Sequence, residues 1–217
     1  FGQVHRSDMS RDMRGSLAHW KRLGLRFNAV YIGYAADHSQ LLMLEDALPD
    51  LMAEGAALYV DPVMGDQGRR YSYCGEELIS AFRRLCARAD AIFPNRTEAA
   101  LLLGLPLKEG EEPEPPAPGR LLSLGARQVV LTGALDGRGG IGVQAASRDG
   151  RQFETYRRRY PGAYPGTGDL LASCVIAGLT AGMALETACE TACDFLDLSL
   201  KYTQAYDAPP RFGLAFE

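Results

Sequence analysis

Short apolar runs that alternate with longer stretches of helical periodicity constrain this chain more than any other feature. Residues 29–32 (AVYI), 57–60 (ALYV), 91–93 (AIF), 129–132 (VVLT) and 141–145 (IGVQA) are each bounded by Gly, Pro, Asn or Asp and read as buried strands. Residues 152–158 alternate less cleanly and read as an edge strand. Helical patterns fall between them, at 10–23, 39–52, 76–88, 97–103, 120–124, 169–181 and 185–202. The second carries Leu41, Leu42, Leu44, Leu48 and Leu51, and the third sets Leu78, Ile79, Phe82, Leu85 and Cys86 on one stripe. Strand–helix alternation of this kind predicts an α/β fold, a doubly wound, mostly parallel sheet with helices on both faces. Residues 141–158, split by Asp149-Gly150, predict an antiparallel hairpin at one sheet edge.

Composition narrows the class. A length of 217 residues suits one domain, and 47% hydrophobic with 23% charged residues disfavours disorder. The excess of 27 acidic over 23 basic side chains argues against a basic nucleic-acid-binding surface. Apolar stretches such as 170–181 are too short or too mixed to span a bilayer. The 5 cysteines form no CxxC pair, which points to a reducing, cytoplasmic compartment. Cys189 and Cys193 read as two buried small residues of a helix, and Cys74 as an inert thiol. His5, His19 and His38 have no metal-ligand partner at useful spacing, and Trp20 reads as packing with Leu17 and Leu23. The acidic, Pro-rich stretch 109–119 (EGEEPEPPAPG) reads as a solvated surface loop.

Four segments carry chemistry. Pro165-Gly166-Thr167-Gly168-Asp169 precedes an apolar helix. Glycines there let free N–H groups converge at the positive end of the helix dipole, which suits a phosphate. Asp169, in the first turn, either accepts a proton from an attacking hydroxyl or only caps the helix. Asp61-Pro62-Val63-Met64-Gly65-Asp66 follows a strand directly. Carboxylates at that end of a parallel strand lie where open α/β sheets bind ligands, and such a pair either suits a Mg²⁺ held mostly through water or marks a turn with solvated Asp residues. Pro94-Asn95-Arg96-Thr97-Glu98 also follows a strand. Asn95 and Glu98 either form a capping box or face the same cation and phosphate site. Thr132-Gly133, closing a strand, can offer a hydroxyl and a close backbone to a nucleotide. The run Arg157, Arg158 and Arg159 reads first as a solvated edge and second as a screen for phosphates.

Taken together, DPVMGD, PNRTEA, VVLTG and GTGD, in this order across nearly the whole chain, resemble the ribokinase-type superfamily and its pyridoxal kinase branch. The opening FGQVHRSDMS, the stretch HWKRLGLRFNAVYIGY and the closing FGLAFE are similar to bacterial pyridoxal/pyridoxamine kinases. The resemblance implies ATP-dependent phosphorylation of the 5′-hydroxymethyl group of a B6 vitamer, with Mg²⁺. It implies Asp169 as general base, and Gly166, Thr167 and Gly168 as the hole for the γ-phosphate. Asp61, Asp66 and Glu98 would organise Mg²⁺, Asn95 would support the phosphates, and Thr132, Gly133 and Tyr71 would contact the nucleotide. Tyr34 would line the vitamin pocket, and a homodimer is expected. The alternatives are a hydroxymethylpyrimidine kinase, which shares DPVMGD and GTGD, and a non-catalytic vitamer-binding protein. The family also opens with about one β-α-β unit of thirty or more residues, expected ahead of Phe1, which carries groups that grip the pyridine ring. Pro165 removes a backbone N–H just before the glycines and stiffens that loop.

Overall fold

The computed structural model describes His5 and residues 7–108, 111–206, 209 and 212–215. The readings made on the opening and closing segments and on Glu109 and Gly110 therefore lie partly outside the described residues. The elements run α1 Ser10–Arg22, β1 Phe27–Ile32, α2 His38–Leu51, β2 Met52–Val60, β3 Gly65–Asp66, β4 Arg69–Arg70, α3 Glu76–Arg88, β5 Ala91–Ile92, α4 Arg96–Leu103, α5 Pro118–Leu122, β6 Gln128–Leu135, β7 Gly140–Ser147, β8 Gln152–Arg158, α6 Thr167–Thr180 and α7 Leu185–Ala205.

The main sheet has the order β1-β2-β5-β6-β7-β8. Pairings from β1 to β6 are parallel, whereas β6-β7 and β7-β8 are antiparallel. The expected α/β sheet and its antiparallel edge hairpin are both present. Side-chain alternation along the strands sorts residues onto two cores. Ile32, Leu58, Val60, Ile92, Val129 and Leu131 meet α2 to α5 on one face. Tyr59, Ala91, Phe93, Val130, Val143 and Ala145 meet α6 and α7 on the other. The β5 run is apolar on both sides because helices cover both its faces. Cys189 and Cys193 are buried free thiols of α7.

Local differences from the sequence reading have physical causes. The second helix stops at Leu51, not Met52, because Met52 is extended (φ −85°, ψ 134°) and pairs with Phe27. Strand β5 ends one residue early, at Ile92, and β6 runs on to Leu135 past a register shift between Thr132 and Ala134. Helix α5 starts at Pro118 rather than Arg120 and ends at Leu122, since proline is well suited to a first helical turn. Trp20 packs against a residue of the neighbouring strand. Its ring meets the Phe27 ring edge-on at 5.6 Å, and it stays 39% exposed on a helix without buried residues. The short hairpin β3-β4 had no apolar signal to announce it.

The acidic Pro-rich segment is more than a solvated loop. Arg96 donates two hydrogen bonds to Pro113 O, at 2.9 and 2.6 Å, and Thr97 Oγ1 bonds Glu112 Oε1 at 3.2 Å. Pro116 is buried. This segment is strapped across the start of α4, beside the chemistry-bearing motifs.

Candidate active site

Three backbone hydrogen bonds beyond the strand ends bring the motifs together. Asp61 N donates to Ile32 O at 2.8 Å, Phe93 N to Val60 O at 3.0 Å, and Thr132 N to Pro94 O at 2.9 Å. The carboxyl ends of β1, β2, β5 and β6 therefore present Gly33-Tyr34, Asp61, Asn95 and Thr132-Gly133 along one sheet edge. Gly133 has φ +67° at the register shift, a conformation that favours glycine.

Helix α4 opens with a complete capping box. Asn95 Oδ1 accepts from Glu98 N at 2.9 Å, and Glu98 Oε2 accepts from Asn95 N at 2.8 Å. The same residues also grip the DPVMGD segment. Glu98 Oε1 accepts from Met64 N at 3.1 Å, Asn95 Nδ2 donates to Gly65 O at 2.8 Å, and Thr97 Oγ1 accepts from Gly68 N at 2.9 Å. Asn95 and Glu98 thus form the capping box of α4 and also hold the Asp61–Asp66 loop against it. Gly65 is required there, since a Cβ would come within 2.4 Å of Arg69 O.

Four carboxylates share this edge. Asp61 is buried and accepts from Tyr31 Oη at 3.0 Å. Burial pushes the Asp61 carboxyl up to about 7; the Tyr31 bond opposes this and the Asp169 charge adds to it. Burial, then the Asp61 charge, raises Glu98 well above its ordinary range, against the pull of the Asn95 and Met64 N–H groups. Asp66 is exposed on the β3-β4 hairpin, and Asp169 is exposed in the first turn of α6. Among the described residues none of the four has an ion-pair partner. An uncompensated group of oxygen donors fits Mg²⁺. Among the described residues no three His, Cys, Asp or Glu side chains converge closely enough to hold a metal by themselves.

The start of α6 is open. Gly166 takes φ +88° as the residue before the helix, and no side chain caps it. Leu170 N reaches Gly166 O, but the N–H groups of Gly168 and Asp169 meet no acceptor among the described residues, and Thr167 N makes only a long 3.4 Å bond to Tyr164 O. A Cβ on Gly166 or Gly168 would touch nothing within 4 Å. The Asp169 carboxylate makes no hydrogen bond to a described group, so here it does not serve as a cap. Free N–H donors at a helix start form an anion site.

Tyrosines rim the edge. Tyr34 is 61% exposed and meets Tyr73 edge-on at 5.3 Å, and Tyr73 stacks on Tyr71 at 5.6 Å. The charges of Asp66, Glu98, Asp169 and Asp61 help burial raise Tyr71 above its ordinary value. Arg157 is committed elsewhere, to Asp194 Oδ1 at 2.6 Å and Thr155, while Arg158 lies 5.6 Å over the Tyr160 ring. Tyr31, Tyr73 and Thr97 were not singled out from sequence. Tyr31 lay inside a run read as a buried strand. Its position on the same side of β1 as the odd-numbered residues facing α6 was the available signal.

The sequence model of the phosphomethylpyrimidine kinase family matches residues 21–209. The structure of pyridoxal kinase from Lactobacillus plantarum superposes with a TM-score of 0.89 at 31% identity, covering 99% of this chain and 77% of that one. A Bacteroides thetaiotaomicron protein, provisionally a phosphomethylpyrimidine kinase and crystallised with pyridoxal, gives 0.89 at 28% identity, covering 99% and 77%. A curated Caenorhabditis elegans relative, provisionally a pyridoxal kinase, is 31% identical over 156 residues, 69% of this chain and 48% of the relative. The chain spans about half the length of the curated relatives it matches.

Proposed function

Because the chain belongs to the phosphomethylpyrimidine kinase family, we propose that it transfers the γ-phosphoryl group of ATP to the 5′-hydroxymethyl group of a vitamin B6 vitamer, pyridoxal, pyridoxine or pyridoxamine. The observation that carries this reading is the pairing of unsatisfied Gly168 and Asp169 N–H groups with the unbonded Asp169 carboxylate at one helix start. Phosphoryl transfer needs positioning, charge neutralisation and a proton acceptor more than covalent help.

In this reading Gly166, Thr167 and Gly168 shape the loop whose N–H groups receive the transferring phosphoryl oxygens. Asp169 accepts the proton of the attacking hydroxyl, which lies between it and the phosphorus. Asp61, Asp66 and Glu98 would hold Mg²⁺, directly or through water; the cation neutralises the phosphate charge when bound. Glu98, with both oxygens bonded to backbone N–H groups, keeps the Asp61–Asp66 loop seated on α4. Asn95 holds Gly65 and supports the phosphates, while Thr132, Gly133 and Tyr71 contact the nucleotide. Tyr34, exposed just beyond the end of β1, lines the vitamer pocket, and a Bacteroides relative was crystallised with pyridoxal. A homodimer and a cytoplasmic location belong to the same reading; the five free thiols accord with a reducing compartment. Among the described residues no helix is long and apolar enough to cross a membrane.

The family description favours a second reading, phosphorylation of a hydroxymethylpyrimidine. The two separate by assay with ATP, Mg²⁺ and each acceptor in turn. Faster turnover of a B6 vitamer is expected. Faster turnover of hydroxymethylpyrimidine, or none with any vitamer, would overturn the proposal in favour of the pyrimidine kinase or a non-catalytic vitamer-binding protein.

A further inference from the structure

Tyr31 lies opposite Tyr59 in the parallel pairing of β1 and β2, and Asp61 stands two residues beyond Tyr59. Period-two alternation puts all three on the α6 side of the sheet. Tyr31 is 40% exposed, and its hydroxyl donates to Asp61 Oδ2 at 3.0 Å. No described group donates to Asp61 Oδ1, and among the described residues no sealed side-chain polar atom lacks a partner. Oδ1 is therefore open to solvent. Glu98, the other buried carboxylate, has both oxygens taken by backbone N–H groups.

From this we infer that Tyr31 is a positioning residue: its hydroxyl fixes the Asp61 carboxylate with one oxygen bound and the other free for a divalent cation. A Lys or Arg in this place would also orient the carboxylate, but it would neutralise the charge that attracts the cation. A phenol orients without competing. The inference rests on the proposed function only for the presence of a cation at Asp61.

The test uses Mn²⁺ as probe, with binding read by the electron paramagnetic resonance of the free ion, in the presence of ADP and without any vitamer. The proteins are the wild type, Tyr31→Phe, and Tyr156→Phe, which removes a hydroxyl bonded to Glu154 at 2.8 Å on the edge strand. Loss of a group that orients a metal ligand weakens affinity roughly 10- to 100-fold. Tyr31→Phe should show that loss while its metal-free ADP affinity stays with the wild type, and Tyr156→Phe should bind Mn²⁺ as the wild type does. In turnover, Tyr31→Phe should raise the Mg²⁺ requirement and leave the vitamer KM unchanged. Tyr31→Phe affinity within twofold of wild type, an equal loss in Tyr156→Phe, or no Mn²⁺ binding by the wild type would overturn the inference. Because no vitamer is present in the binding assay, absence of vitamer phosphorylation would defeat the proposed function and leave this result standing.

Discussion

Replacing Asp61 by Asn should stabilise the metal-free protein at high pH and not at low pH. Asp61 is buried close to Asp169, and its carboxyl is raised from the ordinary 3.8 to about 7. At about 1.4 kcal/mol per pH unit, the ionised carboxylate costs the folded state about 4 kcal/mol. The sign follows from proton counting. Between pH 3.8 and about 7 the folded protein keeps a proton that the unfolded chain releases, so stability is greatest below that window, falls through it and is level above it. Asparagine keeps an acceptor for Tyr31 and does not ionise. Its advantage over the wild type should therefore grow by about 3 kcal/mol between pH 5 and pH 8. Urea unfolding in chelator, followed by circular dichroism at both pH values, reads this as a midpoint difference of roughly 1–2 M that opens with pH. Saturating Mg²⁺ should stabilise the wild type and leave Asp61→Asn nearly unmoved. A stability difference independent of pH, or one that turns against the variant at pH 8, would refute the placement of an uncompensated carboxylate at this site.

Other perturbations test the frame around it. Asn95→Ala removes a helix cap and the tie to Gly65 O, and should cost about 1–2 kcal/mol; Asn95→Ser should restore the cap alone and recover about half, as read by urea unfolding. Gly68→Ala would force a φ of +73° on an L-residue with its Cβ 1.9 Å from Glu111 O. It should cost about 1–3 kcal/mol and expose the strap over α4 to limited proteolysis, with an unchanged digestion pattern counting against that packing. Phe82→Ala, at a fully buried site between α3 and the sheet, should cost about 3–5 kcal/mol in the same unfolding assay.

Much of this architecture was legible because the strands are short, apolar and punctuated. Runs such as ALYV and VVLT alternate between two cores, and their ends coincide with Asp61, Asn95 and Thr132, where the structure brings the motifs to one edge. Strand bounds were less legible. Residues 53–56 of β2 include polar Glu54 and Gly55 and fall in the register shift between the Phe27–Met52 and Ala29–Ala57 pairs, so no local pattern marks them. The β3-β4 hairpin is held by Asn95, Glu98 and Thr97, more than twenty-five residues away in sequence. Spacing could not reveal that the capping box also clamps this hairpin. Tyr31 and Tyr73 escaped notice for a related reason: their partners, Asp61 and Tyr34, lie on other elements.

The central claim is phosphoryl transfer with Asp169 as proton acceptor, and the fate of labelled γ-phosphate from ATP tests it most directly. With Mg²⁺ and a B6 vitamer, the wild type should place the label on the 5′-hydroxymethyl group. Asp169→Asn should do so roughly 100- to 10,000-fold more slowly while binding nucleotide as tightly. Label transferred at an equal rate by the variant, or released by the wild type only as inorganic phosphate, would contradict the account.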